Sequence, residues 1–362
     1  MTRVVVAPDS FKGSLDAAPA AEAIARGWRT VRPDDELVLL PQADGGEGTL
    51  DAVATAVPGA RVEDAGPVSG PDGRPVEGHW LTLPDGTAVV ELAQPAGLPL
   101  MAVPDALGAT TRGLGEVIAR ALDAGAARLV IGLGGSASTD GGAGALAALG
   151  LRLLDADGAE LPVGGGALAG LAAIDASGMR SAPAGGVRLL SDVTAPLLGP
   201  DGAAAVFGPQ KGATPDDVAV LDAALARLAG LLGGDPDAPG AGAAGGTGYG
   251  FASAWGATLE PGSAAIAELT GLTAALAGAD VLLMGEGRFD ATSRTGKVVG
   301  HALALAERSG ATAGVIAGRV DADPGCWSAA LVELAGSVDA ALRDPARWLE
   351  AAGVAAARAL AG

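Results

Sequence analysis

Three lysines stand against twenty arginines in this 362-residue chain, and each lysine lies in a glycine-bearing segment: Ser10-Phe11-Lys12-Gly13-Ser14, Pro209-Gln210-Lys211-Gly212 and Thr295-Gly296-Lys297. Arginine's planar fork serves general ion pairing, whereas lysine offers a compact ammonium on a flexible stem. Glycine lets backbone N–H groups come close to an anion, and a nearby ammonium bridges the anion's oxygens. Phosphate handling uses both. Three unrelated surface lysines are the plainer reading of the same count.

Carboxylates accompany these loops. In an open parallel sheet, ligands bind beyond the carboxyl ends of the strands, and three motifs fall at such places: Asp9-Ser10-Phe11-Lys12-Gly13-Ser14, Asp44-Gly45-Gly46-Glu47-Gly48 and Gly285-Glu286-Gly287-Arg288-Phe289-Asp290. Asp44, Glu47, Glu286 and Asp290 are placed to hold Mg²⁺ or accept a proton. The alternative makes Asp44 a helix N-cap and Glu47 a first-turn dipole partner. A further run, Gly132-Leu133-Gly134-Gly135-Ser136-Ala137-Ser138-Thr139-Asp140-Gly141-Gly142, follows an expected strand and opens a helix, which suits an anion. It lacks the Gly-Lys-Ser/Thr ending of a Walker A loop. Residues 132–137 match Gly-x-Gly-x-x-Ala, with Asp155 about twenty residues on, so a dinucleotide-dependent oxidoreductase is a rival reading. Asp140 is equally a helix cap, and Asp192, in Ser191-Asp192-Val193-Thr194, is either a metal ligand or a turn-initiating aspartate. His79 and His301 are isolated from one another and read as structural.

The elements that must position these residues are legible in outline. Strand, glycine-rich turn and helix units are expected at 3–7 with 17–29, at 36–40 with 46–57, and at 280–284 with a loop over 285–296 and a helix over 297–309. Apolar runs at 312–317 and 336–341 complete five strands, and an alanine-rich helix ends the chain. Residues 62–93 instead alternate between turns at Gly70-Pro71-Asp72-Gly73 and Pro84-Asp85-Gly86. A helix at 113–124 and strands at 128–133 and 187–190 follow. The sequence therefore predicts an α/β protein: a flavodoxin-like parallel-sheet domain of residues 1–63 plus 279–362, interrupted by an inserted mixed α/β domain of residues 64–278, with the active-site cleft between them. Residues 233–246 read as a surface loop.

Composition narrows the function classes. A formal net charge of −19 and only ten aromatics argue against nucleic acid and anionic membranes as partners. A small phosphorylated ligand is still allowed, because a few lysines or a cation reverse the field within one cleft. The single cysteine, Cys326, gives no internal disulfide and suits a reducing compartment. Residues 238–259 carry no charge but contain seven glycines and a proline, unlike a membrane span. The N-terminus reads as a first strand rather than a signal peptide, so a cytoplasmic protein is expected, compatible with a homo-oligomer.

Taken in order, Ala7-Pro8-Asp9-Ser10-Phe11-Lys12-Gly13-Ser14, Ala43-Asp44-Gly45-Gly46-Glu47-Gly48-Thr49, Gly134-Gly135-Ser136-Ala137, Thr139-Asp140-Gly141-Gly142-Ala143-Gly144, Ser191-Asp192-Val193-Thr194, Phe207-Gly208-Pro209-Gln210-Lys211-Gly212-Ala213, Gly240-Ala241-Gly242-Ala243-Ala244-Gly245-Gly246 and Gly285-Glu286-Gly287-Arg288 with Gly296-Lys297 resemble the bacterial class I glycerate kinases. The resemblance spans nearly the whole chain. It implies ATP-dependent phosphorylation of D-glycerate at the 2-hydroxyl, with Mg²⁺, in a flavodoxin-like domain interrupted by a second α/β domain. The chain departs from the family pattern at Phe289, at Ala291-Thr292-Ser293 and at Gln94-Pro95.

On that resemblance, Gly134, Gly135, Ser136, Asp140, Gln210 and Lys211 are expected at the nucleotide, and Asp192 with Glu286 at Mg²⁺. Asp9, Ser10, Lys12, Glu47 and Arg288 are expected at the substrate. Lys297 would face the transferred phosphoryl group, and Asp44, or failing that Asp290, would accept the hydroxyl proton. Two alternatives share the kinase chemistry: a 3-phosphoglycerate product, or another small hydroxy acid as acceptor. A nucleotide sensor without turnover and the oxidoreductase using residues 132–137 are the alternatives from other classes.

Overall fold

The computed structural model describes residues 1–294 and 297–360. Thr295 and Gly296, from the third lysine motif, lie outside the described residues, as do Ala361 and Gly362. The chain divides into two compact units, one of Met1–Asp44, Asp51–Pro58 and Ser263–Gly362, the other of Gly45–Leu50 and Gly59–Gly262.

The first unit is built on a five-stranded parallel sheet in the spatial order Trp327–Ala330, Thr312–Val320, Val281–Phe289, Arg3–Val6, Glu36–Leu39. Numbered along the sheet's own strands this is 2-1-3-4-5 read from its far edge, the flavodoxin-like order, whose switch point lies beside the first strand. The central strands are continuous apolar runs because helices cover both faces. On one face Ala17–Val31 and Pro345–Leu360 bury Ile24, Trp28 and Leu349 against Val4, Val6 and Leu283. Those helices approach closely: a Cβ on Gly27 would stand 1.9 Å from the Glu350 carbonyl oxygen, and one on Gly353 2.2 Å from that of Ile24. On the other face Val299, Ala302 and Leu305 of Val298–Ser309 pack with Leu272 and Leu276 against Val5, Leu282 and Met284. Each such buried leucine contributes roughly 1.5–3 kcal/mol.

Three expectations need correction here. The fifth strand is Trp327–Ala330, paired with 314–317. Residues 336–341 are not a strand: Val338–Arg343 is a helix, capped where the Ser337 hydroxyl accepts from Ala340 N–H, and Val338 and Leu342 are exposed. The loop expected over 285–296 starts later, because Val281–Phe289 continues as a strand with Arg288 and Phe289 opposite Arg319 and Val320. Finally, the second helix begins at Thr49, which leaves Asp44 five positions upstream, too far to be its N-cap.

The second unit holds a six-stranded mixed sheet in the order Thr258–Glu260, Val187–Leu190, Arg128–Gly132, Thr87–Glu91, Pro75–Thr82, Arg61–Ser69. The first four strands are parallel; the last two join by antiparallel pairing. The turn at 70–73 closes with Gly70 N–H donating to the Arg74 carbonyl at 2.7 Å, and Gly73 and Gly86 take the left-handed conformation that the two turns require. Arg112–Asp123 buries Leu114, Val117 and Ile118 in the same core as Leu129 and Ile131.

The unit junctions at 58/59 and 262/263 differ from the expected 63/64 and 278/279 for physical reasons. Residues 61–69 pair entirely within the mixed sheet. Residues 263–278 belong to the first core through Ala267, Leu272 and Leu276, and Gln42 donates to the Thr270 hydroxyl at 2.9 Å. Among the described residues no helix is long and apolar enough to cross a membrane.

Candidate active site

In the first unit the chemistry-bearing residues gather at the carboxyl ends of the central strands. Asp9 follows the first strand, and its N–H donates to the Gly285 carbonyl at 2.8 Å, so it lies beside the middle of the neighbouring strand Val281–Phe289. Burial, and next the nearby Asp44 carboxylate, push the Asp9 carboxyl up to about 7; Glu286 adds to this, while Ser10 N–H, donating to Oδ1 at 2.6 Å, and Lys12 oppose it. Glu286 is raised as well, first by burial and also by Asp290, with Lys297 and Lys12 opposing. Its Oε1 is buried with no hydrogen-bond partner among the described residues. Asp9, Lys12, Asp44, Glu286, Asp290 and Lys297 therefore form one electrostatically coupled group.

One member, Asp290, and the neighbouring Arg288 are committed elsewhere. Asp290 Oδ1 accepts from the Thr292 N–H at 2.9 Å and hydroxyl at 2.7 Å. These bonds, with Lys297 and Arg288 nearby, hold its carboxyl below the usual range, which suits a turn anchor better than a base. Arg288 is paired with Asp321 at 2.6 Å but keeps an exposed side chain. Lys297 is exposed at the N-cap position of Val298–Ser309.

The second unit supplies a cavity of about 320 Å³ lined by the Gly134-Gly135-Ser136 turn, Gln210 and Lys211 and by the apolar Leu98, Leu133 and Phe207. The turn follows the Arg128–Gly132 strand. Gly135 takes φ +77°, and the N–H groups of Gly135 and Ser136 donate to no protein acceptor among the described residues, an arrangement that binds anions. The Gly134 N–H is not available: it donates to the Gly45 carbonyl at 3.1 Å. Lys211 is almost fully buried and donates to the Ser136 hydroxyl at 3.0 Å and the Ser138 carbonyl at 2.5 Å. Two of its three N–H bonds thus brace the loop. Asp140 is completely buried and accepts from the Thr111 N–H and hydroxyl, both at 2.9 Å, and from Gly142 and Gly144 N–H, both at 3.2 Å. These bonds hold the loop and the start of Ala143–Ala148, whose N-cap residue is Gly142.

Glu47, expected at the substrate, lines this cavity beside Ser136 and Lys211. Asp192 lies between the cavity-lining Ser191 and Val193. Asp155 does not fit the oxidoreductase reading. It follows a strand of a separate antiparallel pair, Arg152–Leu154 with Ala173–Asp175, and its carboxylate accepts from Asp157 and Ala159 N–H in a turn, whereas a dinucleotide fold needs that acid at the end of the adjoining parallel strand.

Several contributors carried no chemical mark in the sequence. Leu98, Leu133, Val193 and Phe207 are ordinary apolar residues that tertiary structure brings to one cavity. Ala244, Gly245 and Gly246 form a left-handed turn at the start of Ala243–Trp255, and Gly141 N–H donates to the Gly245 carbonyl at 3.0 Å; the repeated glycines at 240–246 are the signal that could have located it.

Comparison with known proteins converges on one family. Residues 4–361 match the model of the glycerate kinase family. The chain is 47% identical over 304 residues to the glycerate kinase of Bacillus subtilis, covering 82% of this chain and 79% of that one. It is 43% identical over 305 residues to the glycerate 2-kinase of Escherichia coli, covering 82% and 80%. A crystal structure of a Salmonella typhimurium protein described as glycerate kinase 2 superposes with a TM-score of 0.87 at 38% identity, over 99% of this chain and 98% of that one. With the loops, the coupled carboxylates and the lysines arranged as above, this chain belongs to the glycerate kinase family.

Proposed function

We propose that the protein transfers the γ-phosphoryl group of ATP to the 2-hydroxyl of D-glycerate, giving 2-phosphoglycerate and ADP. The observation that carries the nucleotide half is the free pair of N–H groups at Gly135 and Ser136 over a cavity with apolar walls and a buried lysine. The phosphates lie against those N–H groups and Glu47's neighbours, with Gln210 at the rim. The apolar walls take the base. The named activity of the E. coli relative supports attack by the 2-hydroxyl.

In the first unit, Lys12, Ser10 and Arg288 hold the acid's carboxylate, and Lys297 neutralises charge on the transferred group, since phosphoryl transfer depends on positioning and electrostatics more than on covalent help. The Asp9–Asp44 pair takes the hydroxyl proton. A carboxyl raised to about 7 is a better-matched base at neutral pH than one held low by Thr292, so Asp9 enters the role first given to Asp44 or Asp290.

Mg²⁺ takes hard oxygen ligands, usually one or two carboxylates with phosphate oxygens and water. Asp192 in the second unit and Glu286 in the first are each carboxylates of the kind Mg²⁺ takes, and the buried Oε1 of Glu286, without a hydrogen-bond partner among the described residues, is an acceptor suited to a cation. When bound, the ion neutralises the phosphate oxygens. A coupled assay of ADP release tests the reading: release should require D-glycerate and stop with excess EDTA, and release independent of glycerate would refute it.

A further inference from the structure

The segment 45–50 leaves the chain's first unit for six residues and returns, being part of the second unit while both flanks belong to the first. What fastens it is a residue with no assigned role. Glu91 ends the Thr87–Glu91 strand, is 6% exposed, and accepts from Gly48 N–H on one carboxylate oxygen at 3.2 Å and from Leu50 N–H on the other at 3.1 Å. A buried carboxylate is costly unless hydrogen-bonded, and here it satisfies donors at the start of the Thr49–Ala56 helix, where a negative charge is favoured.

A second set of contacts fastens the same segment from the neighbouring strand. Gly134 N–H donates to the Gly45 carbonyl at 3.1 Å. The fit leaves no room for side chains: a Cβ on Gly134 would stand 2.4 Å from Gly46 Cα, and one on Gly132 2.5 Å from the Gly45 carbonyl oxygen. Thr49 closes the turn, its hydroxyl donating to the Gly46 carbonyl at 2.7 Å. Glu47, between these anchors, is exposed at the edge of the cavity.

We propose that Glu91 is a positioning residue whose buried carboxylate locks the 45–50 segment onto the strand ends of the second unit and so fixes Glu47 beside the nucleotide's phosphates. The proposal rests on that cavity being the ATP site. Glu91 touches no reactant. It acts through Gly48 and Leu50, and its loss frees the segment without removing any group that binds ATP.

The test compares full-length wild type, Glu91→Ala and Glu91→Gln by calorimetric titration with Mg·ATP and by steady-state kinetics with and without sodium formate. Glutamine keeps the shape but faces one backbone N–H with its own NH₂ group. The expected result is kcat/KM for ATP lower by about tenfold or more in both variants, as a displaced positioning element produces, with KM for D-glycerate changed less than about twofold. Formate should recover part of the activity of Glu91→Ala and none of Glu91→Gln, whose space is filled. Folded variants with wild-type kcat/KM for ATP would overturn the proposal, as would equal losses for both substrates that formate leaves unchanged. If wild type itself bound no Mg·ATP, the reading of the cavity would fall, an outcome separate from anything Glu91 does.

Discussion

The Lys211 ammonium donates to the Ser136 hydroxyl at 3.0 Å from an almost fully buried position. It thereby joins the Pro209–Lys211 turn to the anion-binding loop. Burial pushes this ammonium down to about 8, with the Asp140 carboxylate partly opposing. An unfolded lysine titrates near about 10.4, so between those values the unfolded chain holds more protons and this group's contribution to stability rises with pH. Activity should move the other way. We expect kcat/KM for ATP to decline above pH 8 as the charge is lost. Lys211→Met should lower it about 100-fold and abolish that decline, whereas an unchanged pH profile in the variant would assign the titration to another group.

Asp9 gives the complementary prediction on the acid side. Its folded carboxyl is raised to about 7, against about 3.9 in an unfolded chain. Between these values the folded state binds the extra proton, so stability falls as pH rises through the window. Asp9→Asn should therefore melt above wild type at pH 8 and converge with it near pH 4. Its kcat should fall by about 10²- to 10⁴-fold, the range for a lost general base. A wild-type rate profile without an inflection near 7 would contradict the assignment.

The left-handed turn beside the loop makes a prediction about backbone alone. Ala244 has φ 51° and ψ 44°, a conformation that costs a residue with a Cβ about 1–2 kcal/mol. Ala244→Gly should relieve this, offset by glycine's greater unfolded entropy, for a net gain of about 0.5 kcal/mol. Gly245→Ala should do the reverse. Its Cβ would stand 2.1 Å from the Ser138 carbonyl oxygen, so we expect a loss of about 2 kcal/mol or more together with weaker ATP binding, read by thermal melts with and without Mg·ATP.

The grouping of chemistry was legible because each segment carries its glycines and acids together, and Asp9, Asp44, Glu286 and Lys297 do interact electrostatically, although Glu286 sits within its strand rather than in a loop after it. What escaped the sequence was tertiary. The edge strand Trp327–Ala330 is a four-residue run without alternation, and 336–341, apolar enough to mimic a strand, contains the serine, Ser337, that caps a helix. Lys211 read as a loop lysine free to meet phosphate, and only packing shows its ammonium shared with Ser136 and Ser138. Glu91 ends an apolar strand with nothing beside it in sequence to mark it; its partners are some forty residues away.

The most direct test of the account is phosphorus NMR of the purified protein incubated with ATP, Mg²⁺ and D-glycerate. The account predicts growth of ADP and 2-phosphoglycerate signals in equal amounts. A 3-phosphoglycerate signal, or folded protein that leaves ATP and glycerate unchanged, would contradict it.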